Sequence, residues 1–371
     1  MKLIILRSNI KEGMGVIDKI IGENLNLPVL KNFLIETVEN KIKLSSTNLE
    51  LAITNFVSGK IIEEGSLTVP INIFTSIINN LQTERINLEV KDNNLIIKTD
   101  NYQAKIQGIK KEEFPIIPKI GNNQRFLEIP TSILKQSLFS VISAAQFSNI
   151  RPELNGVLFD FQINSIKLAA TDSFRLAEKT ITNDQFKTDI NKQFKTIIPL
   201  KTIQETIRTI KDNDGKTEIY FDSNQVLFKN NDLEIISRLI DGEFPDYQAI
   251  IPESIETEAI INREQLINAV KLASAFIDRL NEIKITIKEK TKNIEVYSAG
   301  QSLGENQYLI PAKIKGPSLE IIFNWRFLLD GLKNLDSEDV ILGLNGNNKP
   351  VVIKSPNNIS YFYILMPIKT N

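Results

Sequence analysis

The sequence predicts an α+β fold of three similar units, each an antiparallel sheet with helices packed on one face. Three observations predict it. Motifs recur at a nearly fixed interval: Glu113-Phe114-Pro115 returns as Glu243-Phe244-Pro245, 130 residues on, and Thr47-Asn48-Leu49-Glu50-Leu51 answers to Thr171-Asp172-Ser173-Phe174-Arg175, 124 on. Val69-Pro70 returns as Ile198-Pro199, 129 on, and Ile322-Phe323 lies 124 beyond that. Short alternating stretches separated by polar turns read as strands, and each unit holds two stretches of helical period. A fixed period marks a repeat, and many short strands with few helices argue for antiparallel sheets covered on one side. The units run over residues 1–121, 125–252 and 256–371, with linkers at 119–124 and 252–258.

Met1-Lys2-Leu3-Ile4-Ile5-Leu6-Arg7 reads as a first strand. Its apolar core is too short for a signal peptide and no small-residue cleavage site follows. Helices are expected over 9–24 and 72–81 in the first unit, 131–147 and 200–211 in the second, and 263–280 and 324–335 in the third. Leu134, Leu138, Val141 and Ala145 form a helical stripe, as do Leu328, Leu332 and Leu335. Pro70 and Pro199 stand at or just before a helix start, where a missing N–H costs nothing. Thr131 is expected to cap the helix after Pro130. Hairpins are expected where 88–90 and 95–97 flank Lys91-Asp92-Asn93-Asn94, where 219–221 and 226–228 flank Asp222-Ser223-Asn224-Gln225, and between 283–287 and 294–297.

Composition excludes several functions. The chain has 371 residues, no cysteine and no histidine. Disulfides, thiolate chemistry and cysteine–zinc sites are therefore absent, and so are the commonest general base and transition-metal ligand. Carboxylate-only catalysis stays open. No cofactor is implied. No apolar run approaches the roughly 18 residues of a membrane span, and a cytoplasmic location is expected.

The net charge of −1 argues against a strong general nucleic-acid binder. The charge is nevertheless segregated: the six helical windows carry a net +4 and the rest of the chain −5. Lys201 and Arg208 are seven apart on one helix face, away from Leu200, Ile203, Ile207 and Ile210. Arg326 and Lys333 have the same spacing 125 residues later. Lys135 and Lys271 also lie off their apolar stripes. Any one of these faces could be an ordinary solvated surface; their recurrence at matched positions suits helices that face a polyanion.

Leu154-Asn155-Gly156-Val157-Leu158-Phe159 reads as a strand. A second strand ends at Ala169-Ala170 and turns on Thr171-Asp172-Ser173, residues that bond their own backbone. This should bring Leu154, Thr171, Phe174, Arg175 and Leu176 together. The cluster is either a plain hairpin corner or an apolar pocket with one cation at its rim, suited to a short peptide with apolar anchors. The end of the chain, Tyr361-Phe362-Tyr363-Ile364-Leu365-Met366-Pro367-Ile368, starts as a core strand, but Pro367 cannot sit in a central ladder.

The two stretches around residues 154–159 and 170–177 resemble the second domain of the bacterial DNA polymerase III beta subunit family, the sliding clamps. Asp241-Gly242-Glu243-Phe244-Pro245-Asp246-Tyr247, Leu27-Pro28-Val29-Leu30-Lys31-Asn32-Phe33-Leu34 and the tail Tyr363-Ile364-Leu365-Met366-Pro367-Ile368 agree, in order, over the whole length. The resemblance implies three clamp-type domains, sheets outside and helices lining a central hole, and a head-to-tail homodimer ring around duplex DNA. The function implied is processivity for the replicative polymerase, with no catalytic residue. It implies DNA-facing roles for Lys135, Lys201, Arg208, Lys271, Arg326 and Lys333, and a partner-peptide pocket of Leu154, Thr171, Ser173, Phe174, Arg175, Leu176, Pro245, Ile250, Phe327, Val351, Ile364, Leu365, Met366, Pro367 and Ile368. Motifs of the Gln-x-x-Leu-Phe type would enter that pocket. The dimer interface would pair the edge at 101–109 with the helix around Phe276 and Ile277. Partners implied are duplex DNA, the polymerase III catalytic subunit, the clamp loader, and replication and repair proteins with clamp-binding motifs.

Three departures stand out. Ser173-Phe174 replaces the family's frequent Gly-His, so Phe174 either enlarges the aromatic wall or partly fills the pocket. Gln248-Ala249 stands where relatives carry arginines. The loop 22–26 lacks a basic residue that some relatives place there. Two rivals remain at this stage: a carboxylate-dependent hydrolase using Asp172 or Asp246, and a peptide-binding scaffold without DNA.

Overall fold

The computed structural model describes residues 1–22, 27–120, 125–148, 150–212, 215–277 and 280–369. They form two compact units. The first holds Met1–Ser132, Lys187–Ile190 and Arg208–Leu239; the second holds Ile133–Phe186, Asn191–Ile207 and Ile240–Asn371. The units do not follow the three repeats, because strands of neighbouring repeats join in one sheet. In the first unit Leu51–Val57 pairs with Leu233–Arg238, with Ile53 opposite Ile235. In the second Arg175–Thr182 pairs with Tyr361–Leu365, with Arg175 opposite Leu365. These are equivalent strands at equivalent joints. Every paired edge also hides a row of backbone groups that would otherwise template aggregation.

Among the described residues there are three sheets, all antiparallel. A five-stranded and a nine-stranded sheet lie in the first unit, and a twelve-stranded sheet in the second. The expected hairpins form. Leu88 faces Ile97 and Val90 faces Leu95, and the turn between them takes left-handed φ at Asp92 and Asn93, 48° and 59°. Asn and Asp tolerate that region better than other side chains.

Six helices occur among the described residues: α1 (Arg7–Ile17), α2 (Ile71–Asn80), α3 (Thr131–Ile142), α4 (Leu200–Thr209), α5 (Arg263–Ser274) and α6 (Trp325–Lys333). Their number matches the sequence reading; their ends do not. α1, α3 and α5 stop five or more residues early, α1 at Ile17 against an expected 24. After α3 and α5 the next amides bond three residues back: Ala144 to Val141 and Ala145 to Ile142, then Ala275 to Leu272 and Phe276 to Ala273. Such tight turns end a helix although apolar spacing continues. Residues 23 and 24, expected at the end of the first helix, lie outside the described residues.

Thr131 does not cap α3 as expected. It is the first helical residue, buried, and its hydroxyl pairs with that of Thr217 at 2.9 Å. Side-chain caps do occur at Asn262 and Asn324, whose Oδ1 atoms accept from Gln265 N and Arg326 N.

Gly156 sits opposite Pro199 where Gly156–Phe161 pairs with Phe194–Pro199. A Cβ there would come within 2.3 Å of the Ile198 carbonyl oxygen. Gly156→Ala must push the two strands apart, at a cost of about 1–3 kcal/mol. A fall in Tm of several degrees on full-length protein is expected in calorimetry, and an unchanged Tm would show that the ladder yields freely.

Candidate functional site

The turn at 171–175 is built from its own side chains. Thr171 Oγ1 donates to the Arg175 carbonyl at 2.7 Å, and Asp172 Oδ1 accepts the amides of Phe174 and Arg175, each at 3.0 Å. Ser173 takes φ 76°. The same turn stands 124 residues earlier. Thr47 Oγ1 donates to the Leu51 carbonyl, Asn48 Oδ1 accepts from Glu50 and Leu51, and Leu49 takes φ 78°. The motif Thr-Asx-x-x-x thus codes one turn twice. Only the Thr is identical in the two, and the fifth place holds Leu51 in one and Arg175 in the other.

Arg175 is held from three sides. Its Nε donates to Asp172 at 3.0 Å and its Nη1 to Asp330 at 2.6 Å, while the guanidinium lies 4.1 Å from the centre of the Phe327 ring. Burial would lower the Arg175 pKa, but the surrounding acids, with Asp172 and Asp330 bonded to it, hold it above the usual range. A planar cation that cannot deprotonate suits this place. It ties the end of one strand to α6. Tyr363 does the same from the neighbouring strand, donating to the Phe327 carbonyl at 2.9 Å. A Cβ at Gly331 would lie 2.6 Å from the Tyr363 ring, so α6 packs directly on that strand.

The last strand leads into the tail. Leu365 is paired on both sides, with Arg175 and Val351. Beyond it Met366 N donates to the Phe174 carbonyl at 2.9 Å and Ile368 N to the Ile322 carbonyl at 2.8 Å. Tyr247, from the Phe-Pro-Asp-Tyr segment, is buried against Leu158, Ala169, Leu176, Ile197 and Ile364. Its hydroxyl donates to Glu178 at 2.6 Å, and burial followed by that bond pushes its pKa far up.

The fifteen residues read as pocket divide in two. Leu154, Thr171, Leu176, Val351, Ile364 and Leu365 are buried. Ser173, Phe174, Arg175, Pro245, Ile250, Phe327, Met366, Pro367 and Ile368 keep exposed surface. Phe174 is 62% and Ile250 41% exposed. Asp330 escaped the sequence reading. A signal existed: it lies 125 residues after Glu205, at the matching place on the equivalent helix.

Of the cations read as DNA-facing, Lys201, Arg208, Lys271, Arg326 and Lys333 are exposed and Lys135 is half-buried. Arg208 donates to the Gly15 and Val16 carbonyls at the end of α1, 2.6 and 2.7 Å away. Positive charge there complements the helix dipole. Phe276 and Ile277 follow α5 and are half-buried.

The carboxylates suspected of catalysis have structural work. Asp172 holds the turn and Arg175, and Asp246 Oδ1 accepts the Gln248 amide. Among the described residues no group of acidic side chains is placed to hold a metal, and no helix is long and apolar enough to cross a membrane. The loop at 22–26 falls mostly outside the described residues.

Three family models of the DNA polymerase III beta subunit match in order: the N-terminal domain over residues 1–118, the central domain over 128–246 and the C-terminal domain over 248–369. The beta sliding clamp of Bacillus subtilis strain 168 is 26% identical over 384 residues, covering all of both chains. That of Staphylococcus aureus strain Mu50 is 28% identical over 362 residues, covering 95% of each. The crystal structure of the Bacillus subtilis DNA polymerase sliding clamp superposes with a TM-score of 0.94 at 26% identity over the whole of both chains. The Thermotoga maritima beta subunit gives a TM-score of 0.88 at 25% identity, again over both chains. With all three domains matched in sequence and the whole length matched in fold, the chain belongs to the DNA polymerase III beta subunit family, the beta sliding clamps.

Proposed function

We propose that the chain works as a head-to-tail dimer closed round duplex DNA, each protomer carrying domains at residues 1–121, 125–252 and 256–371. As a beta sliding clamp it is a processivity factor and not an enzyme: it keeps the replicative polymerase on DNA. The hydrolase and the DNA-free scaffold have no support in the family.

The observation that carries the ring is the repeated joint. By the order of elements in each repeat, the equivalent of Leu51–Val57 and Arg175–Thr182 is the leading half of Gly304–Lys315. The equivalent of Leu233–Arg238 and Tyr361–Leu365 is Gln103–Gln107. Both are open on one side. Among the described residues Gln103–Gln107 ends its sheet, and residues 304–311 pair with Asn293–Gly300 alone. Complementary open edges at the two ends of one chain favour a contact that closes when two chains meet. Phe276 and Ile277 would pack beside that contact, against the 101–109 edge.

Lys135, Lys201, Arg208, Lys271, Arg326 and Lys333 would meet phosphates without reading bases, which lets a ring slide. The groove around Arg175 and the tail would take the apolar pair of a Gln-x-x-Leu-Phe motif. Its users would be the polymerase catalytic subunit, the clamp loader and other replication and repair proteins of the cytoplasm.

The test is retention on circular against linearised plasmid after loading, at about 0.2 M salt. A ring stays on circles and runs off cut ends. Equal binding to both, released by salt, would mark simple electrostatic attachment and end the ring reading.

A further inference from the structure

The two joints between repeats each carry a cavity, and the two are built at the same place. In the first unit it is lined by Asn9 and Glu12 of α1, by Asn55, by Thr209 and Lys211 at the end of α4, and by Asp232 and Leu233. In the second unit a cavity of about 380 Å³ is lined by Gln136 and Phe139 of α3, by Lys179, by Lys333 and Asp336 at the end of α6, and by Tyr361. The register fixes the equivalence. Asn55 sits opposite Leu233 in one joint, and Lys179 sits opposite Tyr361 in the other. Arg208 and Lys333 are 125 residues apart, as are Lys211 and Asp336, and Asn55 and Lys179 are 124 apart.

Charge is settled differently in the two cavities. In the first, Lys211 contacts Glu12, Asn55 Nδ2 donates to the Asp232 carbonyl at 2.8 Å, and Lys41 pairs with the Asp232 carboxylate at 2.8 Å. In the second, Gln136 replaces Glu12, Asp336 replaces Lys211, Lys179 replaces Asn55, Lys333 replaces Arg208 and Tyr361 replaces Leu233. Lys179 donates to Ser360 Oγ at 2.8 Å and makes no ion pair among the described residues. Burial lowers its pKa, with Asp336 opposing. Lys333 is exposed and makes no ion pair among the described residues. The Tyr361 residue is only 4% exposed; the Asn334 side chain lies beside its hydroxyl, whose proton has no acceptor among the described residues. The one carboxylate lining the cavity, Asp336, accepts from Gln136 Nε2 at 3.0 Å.

Two ammonium groups and a phenolic hydroxyl therefore have unspent donors around one cavity, with a lining charge of one positive excess. A buried polar group without a partner costs free energy that a ligand can recover. We propose that this second cavity is an oxyanion site that takes a phosphate group, held by Lys179, Lys333 and the Tyr361 hydroxyl. Phosphate offers several acceptors to donors arranged around it, and lysine binds it as a point charge. The phosphate comes either from the DNA backbone or from a free phosphate or nucleotide.

The test uses the intact full-length protein. Inorganic phosphate is titrated against sodium chloride at constant ionic strength while Tm is followed. A saturable rise of about 2 °C is expected at tenfold the dissociation constant. Tyr361→Phe and Lys179→Met should abolish the rise, whereas Lys211→Met, in the other cavity, should leave it intact. Tyr361→Phe removes a buried hydroxyl whose proton has no acceptor among the described residues, so it should be at least as stable as the parent without phosphate, and its lost response would not reflect unfolding. Competition by a 30-base-pair duplex identifies the backbone as the source; absence of competition identifies free phosphate. If phosphate and chloride act alike, or both variants respond as the parent does, the cavity holds only water and the proposal falls. Plasmid retention would be untouched by that failure, so the ring and the oxyanion site are tested separately.

Discussion

Leu309→Asp should turn the dimer into folded monomers that fail to stay on circular DNA. Leu309 lies in the stretch 304–311, whose described pairing is on one side, and is 52% exposed, so a carboxylate there costs the isolated protomer little. In a ring the same position would be covered by the edge Gln103–Gln107 of a second chain. Losing that burial costs about 2 kcal/mol per interface. A head-to-tail dimer has two interfaces, so the closed ring loses about 4 kcal/mol, roughly 1,000-fold in its dissociation constant. Placing a charge in a covered edge adds to this. Sedimentation gives the mass and plasmid retention the function. A variant that stays dimeric and stays on circles would move the interface elsewhere.

Truncation after Leu365 should abolish binding of a Gln-x-x-Leu-Phe peptide while leaving the protein folded. The strand Tyr361–Leu365 keeps its pairing on both sides. What is lost is the tail, anchored at the Phe174 and Ile322 carbonyls. Met366, Pro367 and Ile368 are half-buried, so they offer apolar surface to a bound peptide at little further ordering cost. Removing such an anchor wall costs about 3 kcal/mol, roughly 100-fold in affinity. Fluorescence anisotropy of a labelled peptide measures it. Arg175→Ala is the contrasting variant: it leaves the tail but strands Asp172 and Asp330, so its loss should show in Tm as well as in affinity. Full-strength binding by the truncated protein would place the peptide away from the tail.

The order of the two effects follows from geometry. The ring counts each substitution twice, whereas the groove counts it once. The buried members of the proposed groove, Leu154, Leu176, Val351, Ile364 and Leu365, should respond to mutation through stability first. The rim residues Phe174, Ile250 and Met366 should respond through affinity.

Sequence by itself determined whatever rests on chemistry within a few residues of chain. The turns at 47–51 and 171–175 follow from a Thr and an Asx that bond their own backbone, and the same code gave the same conformation twice. The hairpins follow from alternation and turn residues, and the six helices from apolar spacing. The repeat itself is visible as matched motifs. Only the tertiary structure decided what depends on distant partners. Helices α3 and α5 end where tight three-residue turns take over, although the apolar pattern runs on. Thr131 spends its hydroxyl on Thr217 instead of capping, because burial beside another hydroxyl outweighs a cap. Arg175 finds Asp330, 155 residues away, and strands of adjacent repeats fuse into single sheets, so the compact units cut across the repeats. Periodicity reports which face of an element is buried, but it carries no information about what covers that face. For the same reason the two cavities, alike in sequence position, differ in whether their charges are met.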